Sequence, residues 1–273
     1  MASKEIPMND STSTLNHVTS RDGTKIAFDR LGSGPAVILV SGGSVDRGSN
    51  AGVAALLASD FTAFNYDRRG RGPSGDTQPY AVEREIEDID AVVAAAGGSA
   101  YLYGSSSGAV LALYAAEKLP GKITKLALWE PPFILDPAAR PPADQVQQYN
   151  TMLAEGRRGD AAQYFMEKVV GMPAEFVAGA RSQPWWAATE ALAHTLPYDA
   201  TIMGDYSLPV DRAASVTIPT LVLDGGASFG FMGPTADALA KVLPHGQRRT
   251  LAGQEHNIDP NVLTPALKEF FAA

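Results

Sequence analysis

Tyr101-Leu102-Tyr103-Gly104-Ser105-Ser106-Ser107-Gly108-Ala109-Val110-Leu111 joins an apolar, strand-like run to a helical Ala/Leu pattern through a knot of small residues. Gly104, Ser106 and Gly108 fit the spacing G-x-S-x-G, the nucleophile elbow, in which a serine sits on a strained strand-to-helix turn with its hydroxyl exposed. The spacing has a steric origin. A residue held in a sparsely allowed φ/ψ region brings the backbone on its two sides close together, and hydrogen in place of a side chain at both flanking positions relieves the clash. The helix that begins after Ser106 also points free N–H groups at negative charge forming beside the hydroxyl. A row of small polar residues can also be a flexible linker. Here a strand signal directly before it and a helical run directly after it favour the elbow.

The totals narrow the setting. At 273 residues the chain is one large α/β domain, or a core with a modest insertion, long enough to bury a sizeable interior. Hydrophobic residues make up 45% and charged residues 19%, ordinary for a globular protein. A net charge of −8 argues against nucleic acid and against anionic membrane surfaces as partners. No cysteine is present, which excludes disulfides, thiolate catalysis and cysteine-based metal sites. Met1-Ala2-Ser3-Lys4-Glu5 lacks an apolar signal core and no apolar run approaches membrane-spanning length, so a cytoplasmic location is expected.

Outward from the elbow, the chain alternates strand and helix signals. Residues 1–14 are polar and expected to be flexible, and 15–31 read as a hairpin around Arg21-Asp22-Gly23-Thr24. Ala36-Val37-Ile38-Leu39-Val40 is a continuous apolar run suited to a strand buried on both faces, ending in Ser41-Gly42-Gly43-Ser44. An Ala/Leu helix follows to about Ser59, then a strand from Phe61 to Asp67 and an acidic amphipathic helix from Tyr80 to Ala96. After the elbow helix comes a buried strand, Ile123 to Trp129. The alternation predicts a mostly parallel sheet with helices on both faces. It stops near Phe133, gives way to proline-separated helices, and resumes at Ile218–Asp224. A helix around Ala236–Leu243, a short strand at Arg248–Leu251 and a last helix from Thr264 to Phe271 complete the chain.

On these residues the chain resembles the α/β-hydrolase superfamily from about residue 15 to its end. Asp67-Arg68-Arg69-Gly70-Arg71-Gly72-Pro73-Ser74 is similar to that family's D-x-R-G-x-G-x-S loop, which is mainly structural. Ser41-Gly42-Gly43 stands where the family carries its His-Gly-x oxyanion loop, with serine in place of histidine, and Gln254-Glu255-His256 stands where it carries its catalytic histidine. The resemblance implies an eight-stranded, mostly parallel sheet: a core of residues 15–133 and 215–273, and a helical cap insertion of residues 134–214. It implies no cofactor and no metal.

A serine hydroxyl needs a base to take its proton. Of the four histidines, His17 lies in the first hairpin, His194 in the insertion and His245 in a Leu-Pro-His-Gly turn, whereas His256 follows the last strand, where a side chain can return to the elbow. The third member has two candidates. Most of the family places an aspartate after the strand that follows the cap, where this chain has Gly225-Gly226-Ala227-Ser228, preceded by Asp224. Some members, certain haloalkane dehalogenases among them, place it after the strand before the cap, where this chain has Glu130. A charge ending an apolar strand needs a buried partner, which favours Glu130, with Asp224 as the alternative. The resemblance places the oxyanion hole at the backbone N–H groups of Gly43 and Ser107.

The expected reaction is acyl transfer through an acyl-enzyme on a small hydrophobic ester or lactone. Serine at the elbow argues against a dehalogenase or epoxide hydrolase, which use a carboxylate nucleophile. Cofactor-free perhydrolysis (haloperoxidase), cyclase or lyase chemistry on the same triad, and a hydrolase-fold receptor for a small lactone, are the alternatives that the resemblance leaves open. Trp129, Phe133, Trp185, Trp186, Phe229, Phe231 and Met232 are the candidate pocket residues, and together they suggest a neutral, apolar acyl group.

Overall fold

The computed structural model describes residues 15–273; the segment 1–14, expected to be flexible, lies outside the described residues. Eight strands form one sheet: β1 (Asn16–Thr19), β2 (Lys25–Gly32), β3 (Ala36–Val40), β4 (Thr62–Tyr66), β5 (Ala100–Ser105), β6 (Ile123–Trp129), β7 (Thr220–Gly225) and β8 (Gly246–Leu251). Their spatial order is β1-β2-β4-β3-β5-β6-β7-β8. β2 pairs antiparallel with β1 and β4, and every pairing from β4 to β8 is parallel. This is the mostly parallel eight-stranded α/β sheet that the sequence predicts.

Five helices cover the sheet: α1 (Ala51–Leu57), α2 (Val82–Ala95), α3 (Ser107–Lys118), and, after the insertion, α10 (Met232–Val242) and, following the last strand, α11 (Pro260–Ala272). The two-residue period of the strands divides the interior. Ile38, Val40, Leu102, Leu126, Leu128 and Val222 face α2, α3 and α10. Their neighbours Val37, Leu39, Tyr103, Ala127, Trp129, Leu221 and Leu223 face α1 and α11. Both sets are buried, which is why these strands read as unbroken apolar runs. Helix α11 starts a turn before the expected Thr264, because Pro260 occupies its first position and the Asp259 carboxylate accepts the Asn261 N–H at 2.8 Å.

Between β6 and β7 the chain leaves the sheet and forms α4 (Gln145–Ala154), α5 (Arg158–Tyr164), α6 (Ala174–Ala180), α7 (Trp186–Leu192), α8 (Leu196–Met203) and α9 (Val210–Ser215). These helices carry small apolar clusters of their own, one around Tyr149, Met152 and Leu196 and another around Val177 and Trp186. Among the described residues no helix is long and apolar enough to cross a membrane.

Candidate active site

Ser106 sits between β5 and α3 with φ 53° and ψ −126°. A side chain in this region costs about 1–3 kcal/mol and persists only where the surroundings enforce it. Here they do. The Ser106 N–H donates to the Trp129 carbonyl at the end of β6 at 2.8 Å. A methyl group on Gly104 would run into the Gly108 carbonyl and lie 2.8 Å from Ala109 Cα. One on Gly108 would run into the Ser41 carbonyl and lie 2.7 Å from the Val40 oxygen. The turn is thus wedged between β3, β6 and the first turn of α3, with no room for another side chain at either glycine.

β6 delivers Glu130 beside this turn, itself at φ 45° and with its side chain fully buried. Its Oε1 accepts the Gly225 N–H at 2.8 Å, and its Oε2 accepts the Ser228 hydroxyl at 2.8 Å and meets His256 Nδ1 at 2.5 Å. A carboxylate only accepts, so Nδ1 carries the proton and the Nε2 lone pair is left free to act as a base. Asp224 is turned the other way. As the neighbour of Leu223 in β7 it points to the opposite face, where it lies 3.2 Å from where a Cβ on Gly233 would stand and accepts from Arg248 Nη1 at 2.9 Å. The structure therefore brings Glu130, and not Asp224, to His256. Ser228, at the place where most of the family carries its acid, contributes a hydroxyl to Glu130.

The aromatic candidates separate. Trp129 is a correction to the sequence reading: the strand period turns it toward α11, it is 1% exposed, and it belongs to the core. Its indole N–H donates to the His256 carbonyl at 3.0 Å, so it holds the histidine loop instead of lining a pocket. Phe133 is fully buried in the opposite core cluster, and Trp186 packs inside the insertion, where its indole N–H donates to Glu190 at 2.6 Å. Met232 is buried at the start of α10, and Trp185 is about half exposed. Phe229 meets the His256 ring edge-on, with centroids 5.8 Å apart, and stacks on Phe231 at 6.1 Å. Replacing Trp129 with phenylalanine is expected to strand the His256 carbonyl, a cost of about 1–3 kcal/mol. Thermal denaturation should register that loss, and steady-state kinetics a fall in kcat with little change in KM.

Gly43 follows β3 and Ser107 opens α3, and among the described residues neither N–H has an acceptor. Behind them lies a buried ionic cluster that sequence reasoning passed over. Asp199, on α8 of the insertion, accepts from Arg68 and from the Ser107 hydroxyl, each at 2.8 Å, and from Arg71 at 2.8 and 2.9 Å. Arg68 is in turn gripped by both oxygens of Glu85 at 2.7 Å. Burial pushes the Asp199 carboxyl up, but the attraction of Arg71 and Arg68 outweighs it and holds the group below the usual carboxylate range. The legible signal was a single charged residue in the otherwise uncharged run Leu196–Met203.

A serine on a strained strand-to-helix turn, above an eight-stranded sheet of this order, defines an α/β-hydrolase. The family profile described as alpha/beta hydrolase family matches residues 37–264, and the chain belongs to that family. The chain is 51% identical to an α/β hydrolase from Sphaerobacter thermophilus, with 94% of this chain and all of that one covered and a TM-score of 0.88. The esterase RhEst1 of a Rhodococcus species shares the fold at 21% identity and TM-score 0.71, over 95% of this chain and 98% of that one. The enol-lactonase of Burkholderia xenovorans does so at 18% and 0.72, over 94% of this chain and all of that one. An uncharacterized hydrolase of Bacillus subtilis, YraK, is 35% identical over 123 residues, 43% of this chain and 45% of that relative's length.

Proposed function

We propose that the protein is a serine hydrolase that cleaves a small hydrophobic ester or lactone through an acyl-enzyme. Ser106 is the nucleophile, His256 its general base, and Glu130 the acid that orients and compensates the imidazolium; the Gly43 and Ser107 N–H groups stabilise the oxyanion. The reading is carried by one observation: a buried carboxylate meeting His256 Nδ1 at 2.5 Å beside a serine held at positive φ. In the reaction Ser106 Oγ attacks the carbonyl carbon as His256 Nε2 takes its proton, and the imidazolium returns that proton to the leaving alkoxide. Water, deprotonated by the same nitrogen, then releases the acid. The helical insertion 134–214 serves as a cap over the site that the core 15–133 and 215–273 presents. The apolar edge of Phe229 beside His256, with Phe231 behind it, suits an uncharged acyl group.

The test is labelling with a fluorophosphonate probe and peptide mapping, followed by a panel of p-nitrophenyl esters and lactones. The expected result is a single adduct on Ser106 and multiple turnover on short or medium acyl chains. A chain that takes no label and turns over none of the panel removes the proposal.

A further inference from the structure

The Gly42–Gly43 peptide has no side chain to hold it, and glycine backbone reorients cheaply. Its orientation nevertheless decides whether the Gly43 N–H faces the substrate. In a planar trans peptide the carbonyl oxygen and the following N–H point in opposite directions, so fixing one end aims the other. Arg71 Nη1 donates to the Gly42 carbonyl and also, at 3.1 Å, to that of Val45. Its Nη2 is fixed by both oxygens of Asp199. That same Asp199 accepts the hydroxyl of Ser107, whose own N–H is the other oxyanion donor. A Cβ added to Gly43 would lie 3.2 Å from Asp199 Oδ2 and 3.4 Å from Ser107 Oγ, so the carboxylate stands directly behind both donors.

We infer that Asp199, acting through Arg71 and Ser107, is the positioning residue of the oxyanion hole: one carboxylate from the insertion sets the direction of both N–H donors. The inference rests on the proposed assignment of that hole to Gly43 and Ser107. Several physical features carry it. The cluster is dry: Arg68, Arg71 and Glu85 are each at most 1% exposed and Asp199 is 5% exposed, so its hydrogen bonds are strong and geometrically demanding. It is also balanced, since Glu85 occupies one edge of Arg68 while Asp199 is the carboxylate partner of Arg71. A cation hydrogen-bonded to the Gly42 oxygen polarises that peptide and strengthens its N–H as a donor to an oxyanion. Finally, Asp199 belongs to α8 while Arg68, Arg71, Gly43 and Ser107 belong to the sheet's loops and α3. Both donors are therefore aimed only when the insertion is seated.

Asp199→Asn keeps the shape and an acceptor for Ser107 but removes the charge that fixes Arg71. With the best ester from the panel it is expected to lower kcat about 10- to 100-fold, below the 10²- to 10³-fold loss from deleting an oxyanion donor outright. KM should stay within about twofold, as expected when an interaction made only in the transition state is weakened. The distinguishing readout is a boronic acid carrying the same acyl chain, whose tetrahedral adduct on Ser106 places an oxygen between the two donors. Its affinity should fall by the same factor as kcat, while that of the carboxylic acid product does not move. If Asp199→Asn does not fold, Ser107→Ala, which leaves no buried charge unpaired, is expected to show the same parallel fall in smaller measure. A raised KM with unchanged kcat, or a lowered melting temperature with kcat and boronate affinity intact, overturns the inference. If the wild-type chain is labelled at Ser106 and turns over the ester, and the variants match it in kcat and boronate affinity, the role of Asp199 is rejected and the proposed function stands. If the wild type takes neither label nor substrate, both readings go.

Discussion

Replacing Ser106 with alanine is expected to cut kcat on every accepted ester by about 10⁴- to 10⁶-fold, the range seen when a triad nucleophile is removed. The size of the effect follows from the absence of a substitute. Ser105 and Ser107 flank the position, but the Ser107 hydroxyl is committed to Asp199 at 2.8 Å and that of Ser105 is hydrogen-bonded to Tyr103. Neither sits on the crest of the turn at φ 53°. Whatever rate remains reflects the oxyanion donors and substrate binding, about 10³- to 10⁴-fold over water in other triads. Because the hydroxyl makes no bond to another group among the described residues, its loss should leave the melting temperature nearly unchanged. The measurement is steady-state turnover on enzyme titrated for active sites, so that traces of wild type are subtracted. Activity within tenfold of wild type would remove the nucleophile from the scheme.

How much of this was legible depended on how far each residue reaches. The elbow was readable because its causes are local: Gly104 and Gly108 are required by contacts within a few residues of Ser106 and by the passing backbone of β3. The strands were readable because burial on both faces leaves an unbroken apolar run. The role of Trp129 was not. Its identity suggested a pocket, and only the alternation of β6, set by packing against α11 more than a hundred residues later, turns it into the core. Asp199 was hidden for a similar reason. Among the described residues nothing within the insertion pairs with it; its partners come from the loop after β4 and from the start of α3. The final helix starts earlier than the expected Thr264 because the cap formed by Asp259 and Pro260 lies one turn upstream.

The acid shows the same limit, and its test has the second-largest expected effect. Sequence order alone admits Glu130 and Asp224, and the structure separates them by the direction in which each side chain leaves its strand. Glu130→Gln keeps the size and removes the charge. If its amide turns NH₂ toward His256, the ring must present a lone pair at Nδ1 and carry its proton on Nε2, the nitrogen that has to accept the Ser106 proton. If it turns its oxygen, the imidazolium loses its counter-charge. Either way kcat should fall by about 10³- to 10⁴-fold, as when the orienting carboxylate of a triad is made neutral. Asp224→Asn should instead leave kcat within a few-fold, because its partner is Arg248, which also holds Asp237 at 2.9 Å. Ser228 provides a sharper check. Its hydroxyl is 2.8 Å from the same Glu130 oxygen that meets His256, so Ser228→Asp in the background of Glu130→Ala sets a carboxylate into the vacated space. That double variant is expected to recover part of the rate lost by Glu130→Ala alone, whereas Ser228→Asp beside an intact Glu130 should lower activity by crowding two like charges. A larger fall in Asp224→Asn than in Glu130→Gln would reverse the assignment while leaving Ser106 and His256 in place.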